Sequence, residues 1–367
     1  MTRAPDTPGV RLPAGDLAAL VTALFAAAGL EADKAAAVAR LLLLTDMMGR
    51  HTHGLAQVSA YLDQIERGEM TTSGEPEIVL DTGPTLVWDG RYLPGLWLMD
   101  RALDALIARV ARHGTVTFAM RRSHHIGCLA ALAKKATDAG LYAMLASSGP
   151  HTKAVAPFGG REGLFSPNPF AVAYPTTDFP VLVDTCASIT TVSLTREKAA
   201  AGETFAHPWL LDSAGRPTRD PTVMESAADR GSLMLLGGEE AGHKGFGLAL
   251  MVEALTQGLS GHGRRDAPTR WGASVYAQVI DPDAFAGREA FLEQMNFLNQ
   301  RCHANAPVDP ARPVRLPGEQ ASRNIAEAER RGVPVSAGTL DALRLWAGRL
   351  GVAAEAIAPA PAVAGAS

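Results

Sequence analysis

The sequence predicts an α/β fold: a mixed sheet with interleaved helices in mid-chain, flanked by a mostly helical lobe drawn from both termini. Three observations predict it. Residues 86–287 alternate strand-like runs with amphipathic helices. Residues 1–85 open on Ala- and Leu-rich stretches of high helix propensity. Residues 288–367 return to helical patterning. The expected organisation is therefore a helical lobe of residues 1–85 joined by 288–367, and an α/β domain of residues 86–287.

The elements follow in order. Residues 1–14, rich in proline and charge, are expected to be frayed. "DLAALVTALFAAAGL" and "EADKAAAVARLLLL" read as two helices, and Gln57 to Glu66 as a third, stopped at Gly68. "EIVLDTGPTLVWDG" alternates and turns like strands. "LMDRALDALIARVARHG" is an amphipathic helix ending at Gly114, and "TVTFAMRRS" a strand running into a helix that starts near Gly127. "YAMLASSGP", "FAVAYP" and "FPVLVDTCAS" are further strands. "GHKGFGLALMVEALTQGLSG", "REAFLEQMNFLNQ" and "TLDALRLWAGRL" are later helices, and "VAAEAIAPAPAVAGAS" is a low-complexity tail.

Composition narrows the function classes. The 367 residues exceed one small core, and 47% hydrophobic content supports a packed interior. With 34 basic and 38 acidic residues the net charge is −4, and no basic stripe with interleaved aromatics suggests nucleic acid. Cys128, Cys186 and Cys302 are widely spaced and fit a reducing compartment. No apolar run is long enough to cross a bilayer, and the N-terminus does not read as a signal peptide. A cytoplasmic protein is expected.

No strand is followed by G-x-G-x-x-G, "GGEEAGHKG" lacks the G-K-[ST] ending of a P-loop, and G-x-S-x-G and H-E-x-x-H are absent. Histidine stands out instead. His51 and His53 flank Thr52 at a break between apolar helices, and His124 and His125 sit at a strand-to-helix junction. Imidazole exchanges protons near neutral pH, and Thr52 could orient a neighbouring ring through its hydroxyl. Capping or plain hydrogen bonding is the more ordinary reading of such histidines taken alone. A metal site is a third reading, because His51 and His53 would share a face if the segment were extended. Asp184 ends an apolar strand where carboxylates often meet ligands, or caps a turn. Lys244 between glycines could meet a phosphate, or be solvated. Gly318 after Pro317 marks a turn where backbone can approach closely.

Seven stretches, "GRHTHGL", "SHHIGCLAALAKKATDAGL", "VAPFGGREGLFSPNPFAVAYP", "VLVDTCAS", "LDSAGRPTRDP", "GGEEAGHKGFGLALMVEALTQGLSG" and "LPGEQASRNIAEAERRGVPV", occur in one order across residues 15–350. Together they resemble the malate/L-lactate/ureidoglycolate dehydrogenases, which use nicotinamide cofactors without a Rossmann domain. The resemblance implies a non-Rossmann cofactor-binding domain, NAD or NADP as cofactor, and interconversion of a 2-hydroxy acid and a 2-oxo acid. It implies Thr52 and His53 as a proton-relay pair, and His125 beside substrate and nicotinamide. Leu129, Ala130, Ser148, Asp184, Thr185, Cys186, Lys244, Gly318 and Glu319 match cofactor contacts. Arg323 lies near that last loop and could reach a 2′-phosphate or face solvent, which leaves NAD against NADP open.

The sequence departs from the pattern at Gln57, where many relatives carry an arginine that grips the substrate carboxylate. Arg50 or another arginine could supply that charge. The alternatives are a cyclic imine 2-carboxylate reductase of the same family and, from a different class, a zinc hydrolase built on the paired histidines. The expected partners are a small-molecule substrate and a second copy in a homodimer, with no nucleic acid, membrane or metal.

Overall fold

The computed structural model describes residues 10–226 and 228–357. Most of the Pro- and charge-rich start and the end of the low-complexity tail lie outside the described residues. In chain order the elements are β1 (Val10–Leu12), α1 (Ala14–Ala27), α2 (Ala32–Met47), α3 (Val58–Glu66), β2 (Glu77–Asp81), β3 (Thr85–Asp89), α4 (Gly95–His113), β4 (Thr115–Ser123) and α5 (Leu129–Asp138). There follow β5 (Tyr142–Ser148), β6 (Pro169–Tyr174), β7 (Val181–Cys186), α6 (Val192–Ala200), β8 (Leu210–Leu211), β9 (Pro217–Thr218), β10 (Ser232–Leu233) and α7 (Gly238–Glu253). The chain ends through β11 (Ala273–Ile280), α8 (Arg288–His303), α9 (Glu319–Arg331), β12 (Val333–Val335) and α10 (Ala337–Leu350).

The chain divides into two compact units. The first draws on Met1–Ser73 and Arg323–Ser367, the second on Gly74–Ser322. The boundaries thus fall at 73/74 and 322/323 rather than 85/86 and 287/288. Strand pairing explains the first shift: β2 is bonded along its length to β3 and belongs to the sheet. Tertiary hydrogen bonds explain the second. Asn296 of α8 accepts from the Thr177 N–H, and the Pro317 carbonyl accepts from the Leu182 N–H, tying this stretch to β7 and its approach.

In the first unit, α1, α2, α3 and α10 bury Leu17, Leu24, Phe25, Val38, Leu42, Leu62 and Leu343, each contributing about 1.5–3 kcal/mol by removal from water. Residues 10–12 are not frayed. They form β1, paired antiparallel with β12.

The second unit is built on a seven-stranded mixed sheet of order β2-β3-β4-β11-β5-β6-β7. Only the β3–β4 pairing is parallel; the other five are antiparallel. The central strand β11, "ASVYAQVI", had no place in the sequence reading. It lies between β4 and β5, running opposite to both. The register therefore gathers the C-terminal ends of β3, β4, β5 and β7 with the N-terminal ends of β11 and β6 at one end of the sheet. Helices α4 and α5 pack on the sheet through Leu103, Leu106, Leu132 and Ala136. A π-helical segment, Ala254–Gly258, continues α7 and packs on β11, β5 and β4. The small sheet β10-β8-β9 shares a core with α7 through Leu210, Leu233, Leu235 and Ala249. No helix is long and apolar enough to cross a membrane among the described residues.

Candidate active site

The first histidine pair is held by hydrogen bonds. After α2 ends, Gly49 turns the chain at φ +79°, and His51–His53 forms one turn of 3-10 helix, followed by a second at Leu55–Gln57. Asp46, in the last turn of α2, reaches back under this segment. Its side chain is 6% exposed, with Oδ1 2.7 Å from His51 Nδ1. Its Oδ2 accepts the Leu55 N–H. Burial pushes the Asp46 pKa up, opposed by His51 and that N–H. The Gly of His-Thr-His-Gly is explained by the same carboxylate, since a Cβ at Gly54 would overlap it. Thr52 Oγ1 lies 3.1 Å from His53 Nδ1. Gln57 Nε2 donates to the Thr52 carbonyl at 2.7 Å, so the residue at the variant position braces the turn. Arg50 is exposed. The segment is not extended, as the metal reading requires, and His51 is engaged by Asp46. No three His, Cys, Asp or Glu side chains form a metal-holding group among the described residues.

The second pair is held by close packing. β4 ends at Ser123, and Arg122 turns the chain with a positive φ of 51°. Asp89, fully buried at the end of β3, bonds both Arg121 Nε (2.8 Å) and Arg122 Nε (2.9 Å). Burial pushes the Asp89 carboxyl up, but the arginines and the Arg91 N–H outweigh it and leave the pKa lowered. His124 follows, fully buried, its backbone N–H donating to the Leu93 carbonyl at 3.1 Å. Ser123 Oγ donates to the His124 carbonyl at 2.8 Å. Burial, aided by the charge of nearby His151, pushes His124 down to about 3, so it is neutral at any working pH. His125 is half-buried and stacks on Trp271, centroids 5.0 Å apart and planes at 26°. Trp271 also meets His124 edge-on at 4.9 Å. Gly95, at the start of α4, is pressed on the backbone of this corner: a Cβ there would overlap the carbonyl oxygens of His124 and His125.

Most of the remaining sequence-predicted residues gather around β7. Asp184 Oδ2 accepts the Ala130 N–H at 3.0 Å and the Cys128 thiol at 3.4 Å. It therefore caps the first turn of α5, which begins at Leu129. Thr185 is half-buried beside it. Cys186 Sγ lies 3.3 Å from the Ser188 carbonyl, and burial raises its thiol pKa. Gly318, at φ +96°, leans on the start of β7, where a Cβ would overlap the Pro180 carbonyl. Glu319 is buried, with Oε2 3.1 Å from His303 Nε2. Lys244 is exposed on α7, and the adjoining Gly245 would set a Cβ 2.9 Å from the Ala187 carbonyl, just past β7. Ser148 stands apart. It lies on β5, two strands from β7, with Oγ 2.7 Å from Thr256 Oγ1 and accepting from Gln257 Nε2 at 3.0 Å. Arg323 falls in α9. Sequence reasoning missed Asp46, Asp89 and Trp271. An Asp just past the apolar run of residues 41–44, in the last turn of its helix, was a signal for Asp46; for Trp271 there was none.

Comparisons with known proteins agree with this architecture. The sequence profile of the malate/L-lactate dehydrogenase family matches residues 12–344. Hydroxycarboxylate dehydrogenase B of Escherichia coli K12 is 29% identical over 362 residues, covering 95% of this chain and 97% of that protein. The (2R)-3-sulfolactate dehydrogenase (NADP(+)) of Chromohalobacter salexigens is 33% identical over 244 residues, 66% of this chain and 70% of that one. Among solved structures, a putative malate/lactate dehydrogenase from E. coli superposes with a TM-score of 0.86 at 28% identity, covering 95% of this chain and 98% of that one. The chain thus belongs to the malate/L-lactate dehydrogenase family and is a nicotinamide-dependent oxidoreductase of 2-hydroxy acids.

Proposed function

We propose that this enzyme interconverts a 2-hydroxy acid and its 2-oxo acid, with His53 and His125 as its proton-handling groups. The observation that carries the proposal is the Thr52–His53 pair, hydroxyl 3.1 Å from imidazole, on a turn braced at both ends by Asp46 and Gln57. The hydroxyl of a 2-hydroxy acid must lose its proton as the carbon loses hydride. A positioned acid–base group contributes about 10²–10⁴-fold to such a step. Thr52 holds the His53 ring through Nδ1, and the packing around His124 fixes the backbone from which His125 projects.

NAD or NADP supplies the hydride acceptor or donor when bound. The donor set around β7 suits such a dinucleotide. Asp184 offers a carboxylate of the kind that takes ribose hydroxyls. The exposed Lys244 ammonium suits phosphate charge, and Gly318 lets backbone approach. The Ala130 N–H serves Asp184, so Lys244 is the principal phosphate partner. Gln57 gives its amide to the Thr52 carbonyl and brings no cation, which favours a substrate whose second group is gripped elsewhere. A cytoplasmic setting is supported by the cysteine usage, three residues too few and too widely spaced for a disulfide framework. A homodimer is supported by edge strand β2, where Ile78, Val79 and Leu80 are 61%, 44% and 45% exposed.

The test is a panel of 2-oxo acids and cyclic imine 2-carboxylates with NADH and NADPH, followed by cofactor absorbance. Turnover of at least one 2-oxo acid is expected. Turnover of cyclic imines alone would overturn the assignment of substrate class.

A further inference from the structure

We propose that Trp271 is a positioning residue for His125, its indole face fixing the plane of the imidazole ring. The inference rests on the reading of His125 as a proton-handling group. Rotation of an imidazole about χ2 lies in a broad, roughly two-fold well, so the torsion itself does not fix where the nitrogens point. Proton transfer needs one of those nitrogens on line with the substrate hydroxyl, and small misplacements are costly. A flat ring at stacking distance removes that freedom. The Trp271 indole lies 5.0 Å from the His125 ring at 26°, an arrangement that aromatic pairs favour.

Trp271 is itself anchored. It precedes β11, and Gly272 beside it is pressed onto the end of β4: a Cβ would sit 2.8 Å from the Ser123 carbonyl and 2.9 Å from the Tyr92 ring. Arg270, on its other side, stacks its guanidinium over Tyr92 at 5.1 Å. The buried His124 ring meets the indole at 66° and, with its pKa lowered by burial, brings no competing charge. The doubled histidine thereby acquires a division of labour, with His124 seating the indole and the indole seating His125.

The experiment compares Trp271→Leu, which keeps an apolar side chain but removes the ring, with Trp271→Phe, which keeps a flat face. The Leu variant is expected to lower kcat about 10–10²-fold, with KM and NAD(P)H affinity changed less than about threefold. The Phe variant restores most of the turnover, and does so whether or not the Leu variant folds. With imidazole carbons isotopically labelled, the His125 Cε1–H resonance carries an upfield ring-current shift that the Leu variant loses. Unchanged kcat in the Leu variant overturns the proposal, as does a Phe variant as slow as the Leu variant. His125→Ala separates this from the parent reading. If it keeps near-full turnover, the role of His125 falls. If it is inactive while Trp271→Leu turns over normally, only the role of Trp271 falls.

Discussion

The two histidine-bearing corners solve the same problem in different ways. The His51–His53 turn is fixed by directional polar contacts: Asp46 bonds at both ends, Gln57 closes on Thr52, and Thr52 meets His53. The His124–His125 corner is fixed by contact, through Gly95 against the backbone, the buried His124 ring and the Trp271 face. A clamp of hydrogen bonds responds to loss of single partners. A packed corner responds to volume and to any charge forced into it.

The largest expected effect lies in the packed corner. His124 is held near 3 against an ordinary 6.5, so the unfolded chain takes up a proton that the folded one refuses. The stabilisation is fully present above 6.5 and is lost as pH falls toward 3, at about 1.4 kcal/mol per unit at most. Urea midpoints measured against pH should show this acid limb flattened in His124→Gln. Next comes volume. Gly95→Ala should cost about 1–3 kcal/mol by overpacking and slow turnover with it, whereas Gly247→Ala, in open space on α7, should stabilise by about 0.5–1 kcal/mol. Thermal melts of both variants make that comparison.

The hydrogen-bonded corner should answer to chemistry instead. Asp46→Ala leaves His51 Nδ1 and the Leu55 N–H without their carboxylate and should cost about 1–3 kcal/mol. Asp46→Asn preserves shape, and here the sign of the pH dependence is diagnostic. The Asp46 pKa is raised in the fold, so its contribution is complete below the unfolded value and declines as pH rises through the folded one. The stability of the wild type relative to the Asn variant should therefore be greatest in acid and shrink toward neutrality. A difference that grows with pH would mean His51, not burial, dominates Asp46.

Legibility in the sequence followed the strength of local signals. The strand "TVTFAMRRS" matches β4 from Thr115 to Ser123, and Gly114 ends α4, because alternation and a left-handed glycine leave few options. Strand β11 was invisible for the opposite reason. It is flanked by strands on both sides and nearly all buried, so it lacks alternation, and an Arg- and Gly-rich loop precedes it. Trp271 was lost with it. The histidine pairs were legible as residue types at element boundaries. Asp89 was not, because it acts through Arg121 and Arg122, which only the fold brings near, and Asp46 carried no more than its place at the end of a helix.

The central claim is that each corner delivers a proton-handling histidine to a nicotinamide-dependent reaction. The most direct measurement is kcat for NAD(P)H-dependent reduction of a 2-oxo acid in His125→Ala and His53→Gln, with NAD(P)H affinity from fluorescence titration on the same preparations. Both variants should lose about 10²-fold or more in kcat while binding cofactor almost as tightly as the wild type. Near-full turnover in both would contradict it.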